Sequence, residues 1–295
     1  MPIYPAQSNL SYTRDPEFRC TYGRASREPG DFRAECVRTA ELIGQSEKPI
    51  AILLSGGMDS EVVLRAFIEA QVPFKCFTHK IDYYTRHELA VLEQTCKTLG
   101  VRTEIVNIDV GWLTSVQAKS FMASTAAGAV EMLPHMKLMQ HVSELGYMPV
   151  LGSGEVVLEQ HGREWKYVEY EYDLAWGRFA EQHGFEAVTA FFQRTAELQL
   201  AALNNETLRD VLSGKNKLAK ILSSTHVLKS AMYRAHWPDM QPRPKFDGFE
   251  YLRMKPFASR IQVPHLAVKC LIPVQEFRSM LEPLPGLDRT ASSSS

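Results

Sequence analysis

A five-residue apolar run at 50–54 leads directly into the loop S-G-G-M-D-S at 55–60, and apolar residues at helical spacing follow at 61–68. This order predicts a buried strand, a glycine turn and an amphipathic helix. Two glycines let the backbone turn tightly and come close to a ligand. Because the first amide N–H groups of a helix lie at its positive end, the loop is typical of a phosphate site.

The side chains of this loop refine the prediction. Ser55 and Ser60 add hydroxyl donors, whereas Asp59 would repel a bare phosphate. A carboxylate here is instead suited to hold Mg²⁺, which bridges phosphate oxygens. No lysine follows the glycines, so the loop does not have the G-x-x-x-x-G-K-[ST] spacing of a Walker loop. We therefore predict a site for Mg-pyrophosphate, with a plain glycine turn as the alternative.

The loop resembles the PP-loop, S-G-G-x-D-S, of the ATP pyrophosphatase superfamily. Members of that superfamily cleave ATP between the α- and β-phosphates and adenylate a substrate. The resemblance implies that Asp59 acts in catalysis and binds Mg²⁺, and it places adenine against the backbone near Leu53, Leu54 and Thr78. The nucleotide contacts implied by this loop are Leu54, Ser55, Gly56, Gly57, Asp59, Ser60 and Thr78.

A second stretch resembles the end of the asparagine synthase-like synthetase domain. The sequence K-S-A-M-Y-R-A at 229–235 leads through a proline to R-P-K at 243–245 and G-F at 248–249. In that family the lysine of R-P-K contacts the reacting phosphates, which implies a catalytic role for Lys245 and a second phosphate contact at Lys229. A compact ammonium suits charge that develops on the α-phosphate. A solvated basic loop is the alternative.

A third stretch lies between these two. The apolar run at 147–151 ends in G-S-G-E at 152–155, which is similar to the S-G-E-G-x-D-E turn of the same family. In the family this turn follows the strand beside the PP-loop strand and supplies a second acidic Mg²⁺ ligand. We assign that role to Glu155 and a nucleotide contact to Gly152. The order here is altered, with V-V at 156–157 in place of further acids, so a plain β-turn and an impaired site remain alternatives.

The alternation of strands and helices predicts an α/β protein with a doubly wound, mostly parallel sheet. The resemblance implies a sheet of the adenine nucleotide alpha hydrolase (HUP) type with a helical C-terminal elaboration. Residues 1–29 look irregular, and 31–44 predicts a capped helix. An acidic, aromatic stretch at 167–173 is more typical of the edge of an amphipathic helix than of a tyrosine–glutamate base near a reacting amine. The predicted parts are an N-terminal extension and helix at 1–45, a nucleotide-binding core at 46–160, a helical substrate-side region with the R-P-K loop at 161–285, and a disordered tail at 286–295.

Composition sets limits on the function. A net charge of −1 gives no sign of a nucleic-acid surface, so a nucleic-acid partner is disfavoured. No apolar run approaches the roughly 20 residues of a membrane span, and the first residues lack the pattern of a signal peptide, so we expect a cytoplasmic protein with no membrane partner. The 5 cysteines include no C-x-x-C pair, which argues against a disulfide framework, a zinc site and sulfur transfer.

These observations together predict an ATP-dependent synthetase with ATP and Mg²⁺ as cofactors. It would adenylate a small-molecule carboxylate and pass the acyl group to an amine or ammonia, as an AMP-forming amide ligase does. The chain shows no N-terminal cysteine nucleophile of a glutaminase domain, so we expect a separate supplier of ammonia or amine. The alternatives are a tRNA- or nucleotide-modifying PP-loop enzyme and a catalytically degenerate nucleotide-binding protein.

Overall fold

A four-stranded parallel sheet with helices on both faces forms the centre of the molecule. The computed structural model describes residues 9–13, 17–82, 84–215, 225–243 and 268–284. In chain order its elements are β1 (Leu10–Thr13), β2 (Arg19–Tyr22), α1 (Phe32–Ile43), β3 (Ile50–Leu53), α2 (Met58–Glu69), β4 (Phe74–Lys80), α3 (Arg86–Leu99), β5 (Thr103–Asn107), α4 (Val116–Thr125), α5 (Met132–Glu144), β6 (Met148–Leu151), β7 (Leu158–His161), β8 (Glu164–Tyr170), α6 (Ala175–Gln182), α7 (Ala196–Asn204), α8 (Glu206–Leu212), α9 (Thr225–His236), β9 (Lys269–Pro273) and α10 (Val274–Leu281), with short 3-10 turns at Val110–Thr114, Glu171–Leu174 and Phe191–Gln193.

The order of the parallel strands fixes where a ligand site can form. The order is β5-β4-β3-β6, so the chain moves from β3 outward to β5 and then returns to the other side of β3. Leu53 pairs with Phe77 of β4 on one side and with Leu151 of β6 on the other. In sheets of this kind the crevice opens at the carboxyl ends of the two strands where the order reverses. Here those strands are β3 and β6, which confirms the prediction that the strand before the Gly152 turn lies beside the PP-loop strand.

Strand β3 separates two apolar cores because its side chains alternate between the faces of the sheet. Ile50 and Ile52 pack with helices α1, α2 and α3, whereas Ala51 and Leu53 pack with α4, α5 and α6. All four residues of β3 are buried, as expected for a central strand of a parallel sheet covered on both sides. The predicted α/β fold with a doubly wound sheet is therefore confirmed.

Local signals in the sequence define several element ends. Asp31 caps α1 by accepting a hydrogen bond from the Ala34 N–H at 2.8 Å, which confirms the predicted capped helix. Helix α3 ends at Gly100, whose φ of +69° lies in the left-handed region that glycine adopts easily. Within the described ranges, none of the helices combines the length and the apolar character that a membrane span requires.

Two smaller antiparallel sheets pack around a third apolar core. Strands β1 and β2 form a hairpin, and β7, β8 and β9 form a three-stranded sheet in that order. Tyr167 of β8 stacks on Phe277 of α10 with 3.8 Å between ring centroids. The prediction of an irregular segment at 1–29 is wrong for β1 and β2, because alternating apolar residues there pack onto this core. The region at 161–285 that was predicted to be helical contains α6 to α10, but it also contains β8 and β9, which were not predicted. The interpretation of 167–173 as the edge of a helix is wrong, because this stretch spans the end of strand β8 and a short 3-10 turn.

Candidate functional site

The PP-loop joins β3 to α2 and is held tightly against helix α3. Gly56 has a φ of +78°, and a Cβ atom on it would lie 2.6 Å from the carbonyl oxygen of Glu88. Both observations require glycine, since a side chain would be strained in φ and would meet backbone. The loop therefore depends on Gly56 for its shape as well as for access to a ligand.

Hydroxyl groups bond across the loop and stabilise its turn. The Ser60 hydroxyl donates to the Gly57 carbonyl at 3.0 Å and lies 3.2 Å from the Ser55 hydroxyl. The Ser55 hydroxyl in turn accepts from the Gly57 N–H at 3.2 Å. Ser55 thus lies in the loop and Ser60 in the first turn of α2, and their direct contact with phosphate stays a prediction. Ser60 is buried, so its first role is to hold the loop.

The Gly152 turn packs directly on the first turn of α2. A Cβ atom at Gly152 would lie 2.8 Å from the Ser60 nitrogen and 2.9 Å from the Asp59 carbonyl carbon and oxygen. Only a residue without a side chain allows this approach. The structure thus gives Gly152 a packing role that brings the turn after β6 onto the PP-loop, and its predicted nucleotide contact stays a prediction.

Three charged side chains meet where these two loops come together. The Lys229 ammonium donates to Asp59 Oδ2 at 2.9 Å and to Glu155 Oε1 at 2.6 Å. The Tyr233 hydroxyl, one turn further along α9, donates to Asp59 Oδ1 at 2.6 Å. Residues from three distant parts of the sequence, each predicted to act at the site, therefore form one cluster. Tyr233 was not among the predicted site residues, although it lies in the quoted motif.

The electrostatics of this cluster keep Lys229 charged. Burial acts to lower the pKa of Lys229, but the nearby charges of Asp59 and Glu155 outweigh burial, and the pKa is raised. Burial and the Asp59 carboxylate raise the pKa of Tyr233 well above its usual value, so the phenol keeps its proton. Lys229, Asp59 and Glu155 expose only 17%, 23% and 25% of their side chains, so water screens the cluster only in part.

The donor set suits a magnesium ion that is bound together with phosphates. Among the residues that the structure describes, no three acidic, histidine or cysteine side chains form a cage for a metal. Asp59 and Glu155 already share one cation, the Lys229 ammonium. Mg²⁺ in nucleotide sites is usually held by one or two carboxylates, with phosphates and water completing its shell. The two predicted ligands fit that pattern.

Arg243 fixes the chain beside the PP-loop just before the R-P-K lysine. Its guanidinium hydrogen-bonds Glu61 in the first turn of α2 and Thr95 Oγ1, the latter at 2.8 Å. Burial lowers the pKa of Arg243, while Glu61 opposes that effect. Arg65 completes the network by donating to Glu61 Oε1 at 2.8 Å. Lys245, the predicted catalytic lysine, lies outside the described residues.

The two remaining predicted contacts belong to the sheet. Leu54 is buried, and its N–H donates to the Phe77 carbonyl at 2.8 Å, so this residue extends the pairing of β3 with β4. Thr78 is buried in β4 beside it. Their proposed contact with adenine therefore concerns backbone at the edge of the crevice.

A further acidic residue, Asp173, interacts electrostatically with the same cluster. The pKa of Asp173 is raised well above its usual value, first because surrounding protein displaces water and then because Glu169 and Glu155 add negative charge, while Lys229 acts in the opposite direction. Asp173 follows β8, in the acidic, aromatic stretch that sequence reasoning set aside. Alternation of Trp165 and Tyr167 with charged residues was the available signal for this strand.

The fold and site define a doubly wound α/β protein whose PP-loop lies at the carboxyl end of β3, beside β6, where the strand order reverses. The model of one protein family, the queuosine biosynthesis protein QueC, matches residues 49–143. This range runs from β3 to α5 and contains the whole PP-loop, but it is less than half of the chain. The match supports the PP-loop ATP pyrophosphatase superfamily, and with it ATP as the nucleotide.

Other comparisons give only distant similarity. One similar solved structure is an NH3-dependent NAD synthetase from Campylobacter jejuni in complex with nitrate, with 13% identity over 73% of this chain and 98% of that chain and a TM-score of 0.32. Another is an NMN synthetase from Francisella tularensis, with 14% identity over 73% of this chain and 98% of that chain and a TM-score of 0.33. A glutamine-dependent NAD+ synthetase from Acinetobacter baumannii with ADP has 13% identity over 84% of this chain and 53% of its own, with a TM-score of 0.34. Similarity at this level says nothing about the substrate here. No curated protein matches the chain in sequence.

Proposed function

We propose that the protein is an ATP-dependent synthetase that adenylates a carboxylate and transfers the acyl group to an amine or ammonia. One observation carries this proposal: the Lys229 ammonium joins Asp59 of the PP-loop to Glu155 of the Gly152 turn at the strand-order reversal. Three stretches that resemble one synthetase domain thus supply a single cluster. A fold that had merely kept a glycine turn would not need these charges together.

The chemistry has two steps. An oxygen of the substrate carboxylate attacks the α-phosphorus of ATP, and the bond from that phosphorus to the bridging oxygen breaks, which releases pyrophosphate. The amine then attacks the acyl carbon, AMP leaves with the electron pair of the acyl–oxygen bond, and the amine loses a proton. Both steps depend on positioning and on neutralising charge that develops on phosphate.

Each residue of the cluster has a role in that scheme. The PP-loop N–H groups and the Ser55 and Ser60 hydroxyls would hold the leaving pyrophosphate. Asp59 and Glu155 would hold Mg²⁺, and the ion would supply positive charge that stabilises the leaving pyrophosphate. Lys229 would neutralise negative charge that develops on the α-phosphate.

Lys245 would provide a second ammonium for the α-phosphate. The support for this role is the position of Arg243, which precedes Lys245 by two residues and lies against Glu61 at the start of α2. The planar guanidinium of Arg243, which bonds both Glu61 and Thr95, is suited to fix the chain, whereas a lysine is suited to follow changing charge. A separate protein would supply ammonia or amine, and we expect both to act in the cytoplasm.

The match to QueC favours a second candidate, an ATP-dependent enzyme that acts on a precursor of a modified nucleoside. Both candidates share the PP-loop and its nucleotide. They differ in the acceptor, which would be a nucleobase-like compound in the second case. The net charge of −1 gives no support to an intact tRNA as the acceptor.

Exchange of labelled pyrophosphate into ATP tests the proposal directly. The purified chain is incubated with Mg-ATP, labelled pyrophosphate and pools of aliphatic, amino and nucleobase-like carboxylic acids, and acid-dependent label in ATP is measured. We expect exchange with at least one pool and its loss in Lys229→Met. Lys75→Met is the matched control, because Lys75 is exposed and lies near the amino-terminal end of β4, whereas the site lies at the carboxyl ends of the strands. Absence of exchange with every pool would contradict the proposal.

A further inference from the structure

An apolar cavity of about 40 Å³ lies directly beside Lys229. Its mostly apolar walls come from four places: the chain after the Gly152 turn, helix α7, helix α8 and helix α9. Lys229 is the only charged residue among the lining residues that the structure describes. The lining residues used below are Val156, Leu158, Leu208, Leu228 and Met232.

One side chain therefore belongs to two environments. Lys229 lines the cavity, and its ammonium contacts Asp59 and Glu155. Lysine commonly lays its aliphatic stem along apolar surface while its ammonium stays with polar partners. Val156 directly follows Glu155, so the cavity also begins where the acidic turn ends. Lys229 therefore connects the cavity to the charged cluster, whereas no residue of the loop at 55–60 is among the lining residues that the structure describes.

We propose that this cavity is the subsite for the aliphatic part of the carboxylate, an inference that rests on the proposed function. In an acyl adenylate only one oxygen separates the acyl carbon from the α-phosphorus. A Lys229 ammonium near that phosphate therefore places the first carbons of the acyl chain at the mouth of the cavity. Since one water needs roughly 10–15 Å³ by this measure, the cavity takes an acyl tail of about three or four carbons.

The walls also determine what the subsite excludes. Each methylene moved from water into the cavity should tighten binding roughly fourfold. A charged group at the end of the chain, such as the amino acid end of aspartate, would be buried against Leu208 and Met232 with Thr207 as the one uncharged polar side chain among the described lining residues, which is costly. The subsite thus selects short aliphatic acids over acids that carry a charged group at the far end of the chain.

Two measurements on the full chain test this subsite. The first uses saturation-transfer NMR to measure the affinity for acetate, butanoate, pentanoate, octanoate and aspartate, both without nucleotide and with Mg-ATP. The second is pyrophosphate exchange with the same acids. We expect affinity to rise roughly fourfold per methylene up to butanoate or pentanoate and then to level off, with aspartate at least tenfold weaker than butanoate.

Matched variants on α9 locate the binding. Leu228→Phe fills the cavity and should weaken butanoate binding at least tenfold, whereas Val227→Phe adds the same ring at a neighbouring position that is 41% exposed and should leave binding unchanged. Thermal unfolding checks that each variant is folded. If Leu228→Phe does not fold, Met232→Phe fills the same cavity from one turn further along the helix. The series of acids of different length is measured on the wild-type protein, so it tests the subsite even if neither variant folds.

The outcomes separate this inference from the proposed function. Chain-length dependence that Leu228→Phe abolishes supports the subsite, and exchange with the same acids supports the synthetase as well. Aliphatic binding of this kind without any exchange would support the subsite and count against the synthetase. Exchange with aspartate or a nucleobase-like acid, with no dependence on aliphatic length, would overturn the subsite and keep the synthetase. If the assays show no binding and no exchange, both the subsite and the synthetase proposal are overturned.

Discussion

Substitution of Gly56 by Ala should destabilise the protein far more than the same change at Gly100. Both glycines have left-handed φ values, +78° and +69°, so alanine carries a similar backbone cost of about 1–2 kcal/mol at each. At Gly100 nothing lies within 4 Å of the added Cβ. At Gly56 the Cβ would lie 2.6 Å from the Glu88 oxygen and 3.1 Å from its carbonyl carbon and Cα. Gly100→Ala thus serves as a control for φ alone.

The difference between the two variants measures how tightly the PP-loop packs on α3. Because the atoms at Gly56 are backbone, the helix or the loop must move, and overpacking of this kind costs about 1–3 kcal/mol. We expect a total loss of about 2–5 kcal/mol for Gly56→Ala. For Gly100→Ala we expect about 1–2 kcal/mol.

Urea unfolding of both variants provides the assay, with the free energy of unfolding taken from the midpoint and slope. Isothermal titration with Mg-ATP follows nucleotide affinity in parallel. We expect weaker nucleotide binding in Gly56→Ala and wild-type binding in Gly100→Ala. Equal destabilisation of the two variants, or unchanged nucleotide affinity in Gly56→Ala, would refute the reasoning that the loop's contact with α3 sets its shape.

Three other perturbations test the site and the core. Lys245→Ala should lower acid-dependent pyrophosphate exchange by about 10²–10³ with an unchanged unfolding midpoint, and full activity would remove Lys245 from the catalytic group. Tyr233→Phe deletes the hydroxyl that donates to Asp59 at 2.6 Å and should cost about 1–2 kcal/mol in urea unfolding; no loss would mean that this hydrogen bond is not important for stability. Burial lowers the pKa of His135 to about 4, below its usual value, so the unfolded chain binds a proton first as the pH falls from about 6.5 towards 4. Stability should therefore fall by about 2 kcal/mol between pH 8 and pH 5 through this group. His135→Gln should reduce the wild-type loss over that interval by the same amount, and an unchanged loss would contradict this.

Sequence reasoning succeeded where a feature is local. The strand, loop and helix around 50–68 are specified by consecutive residues, and Gly100 ends α3 through its own backbone conformation. The pairing of β6 with β3 followed from the resemblance, because the sequence itself does not encode which strands are neighbours.

Long-range features could not be predicted in this way. The bond from Lys229 to Asp59 joins residues 170 positions apart, and no spacing in the sequence specifies it. The cavity beside Lys229 depends on how α8 and α9 pack against the chain after the Gly152 turn. Strand β2 was missed although R-C-T-Y alternates polar and apolar residues, since the prolines around it outweighed a four-residue signal.

Titration of the protein with Mg-pyrophosphate, followed through its backbone amide resonances, tests the central claim most directly. The account predicts saturable shifts that are largest at Gly56, Gly57, Asp59 and Ser60, with smaller shifts at Glu155 and none at Gly100. Shifts confined to residues away from the loop, or no shifts at millimolar pyrophosphate, would contradict the claim that this loop binds the two outer phosphates of ATP.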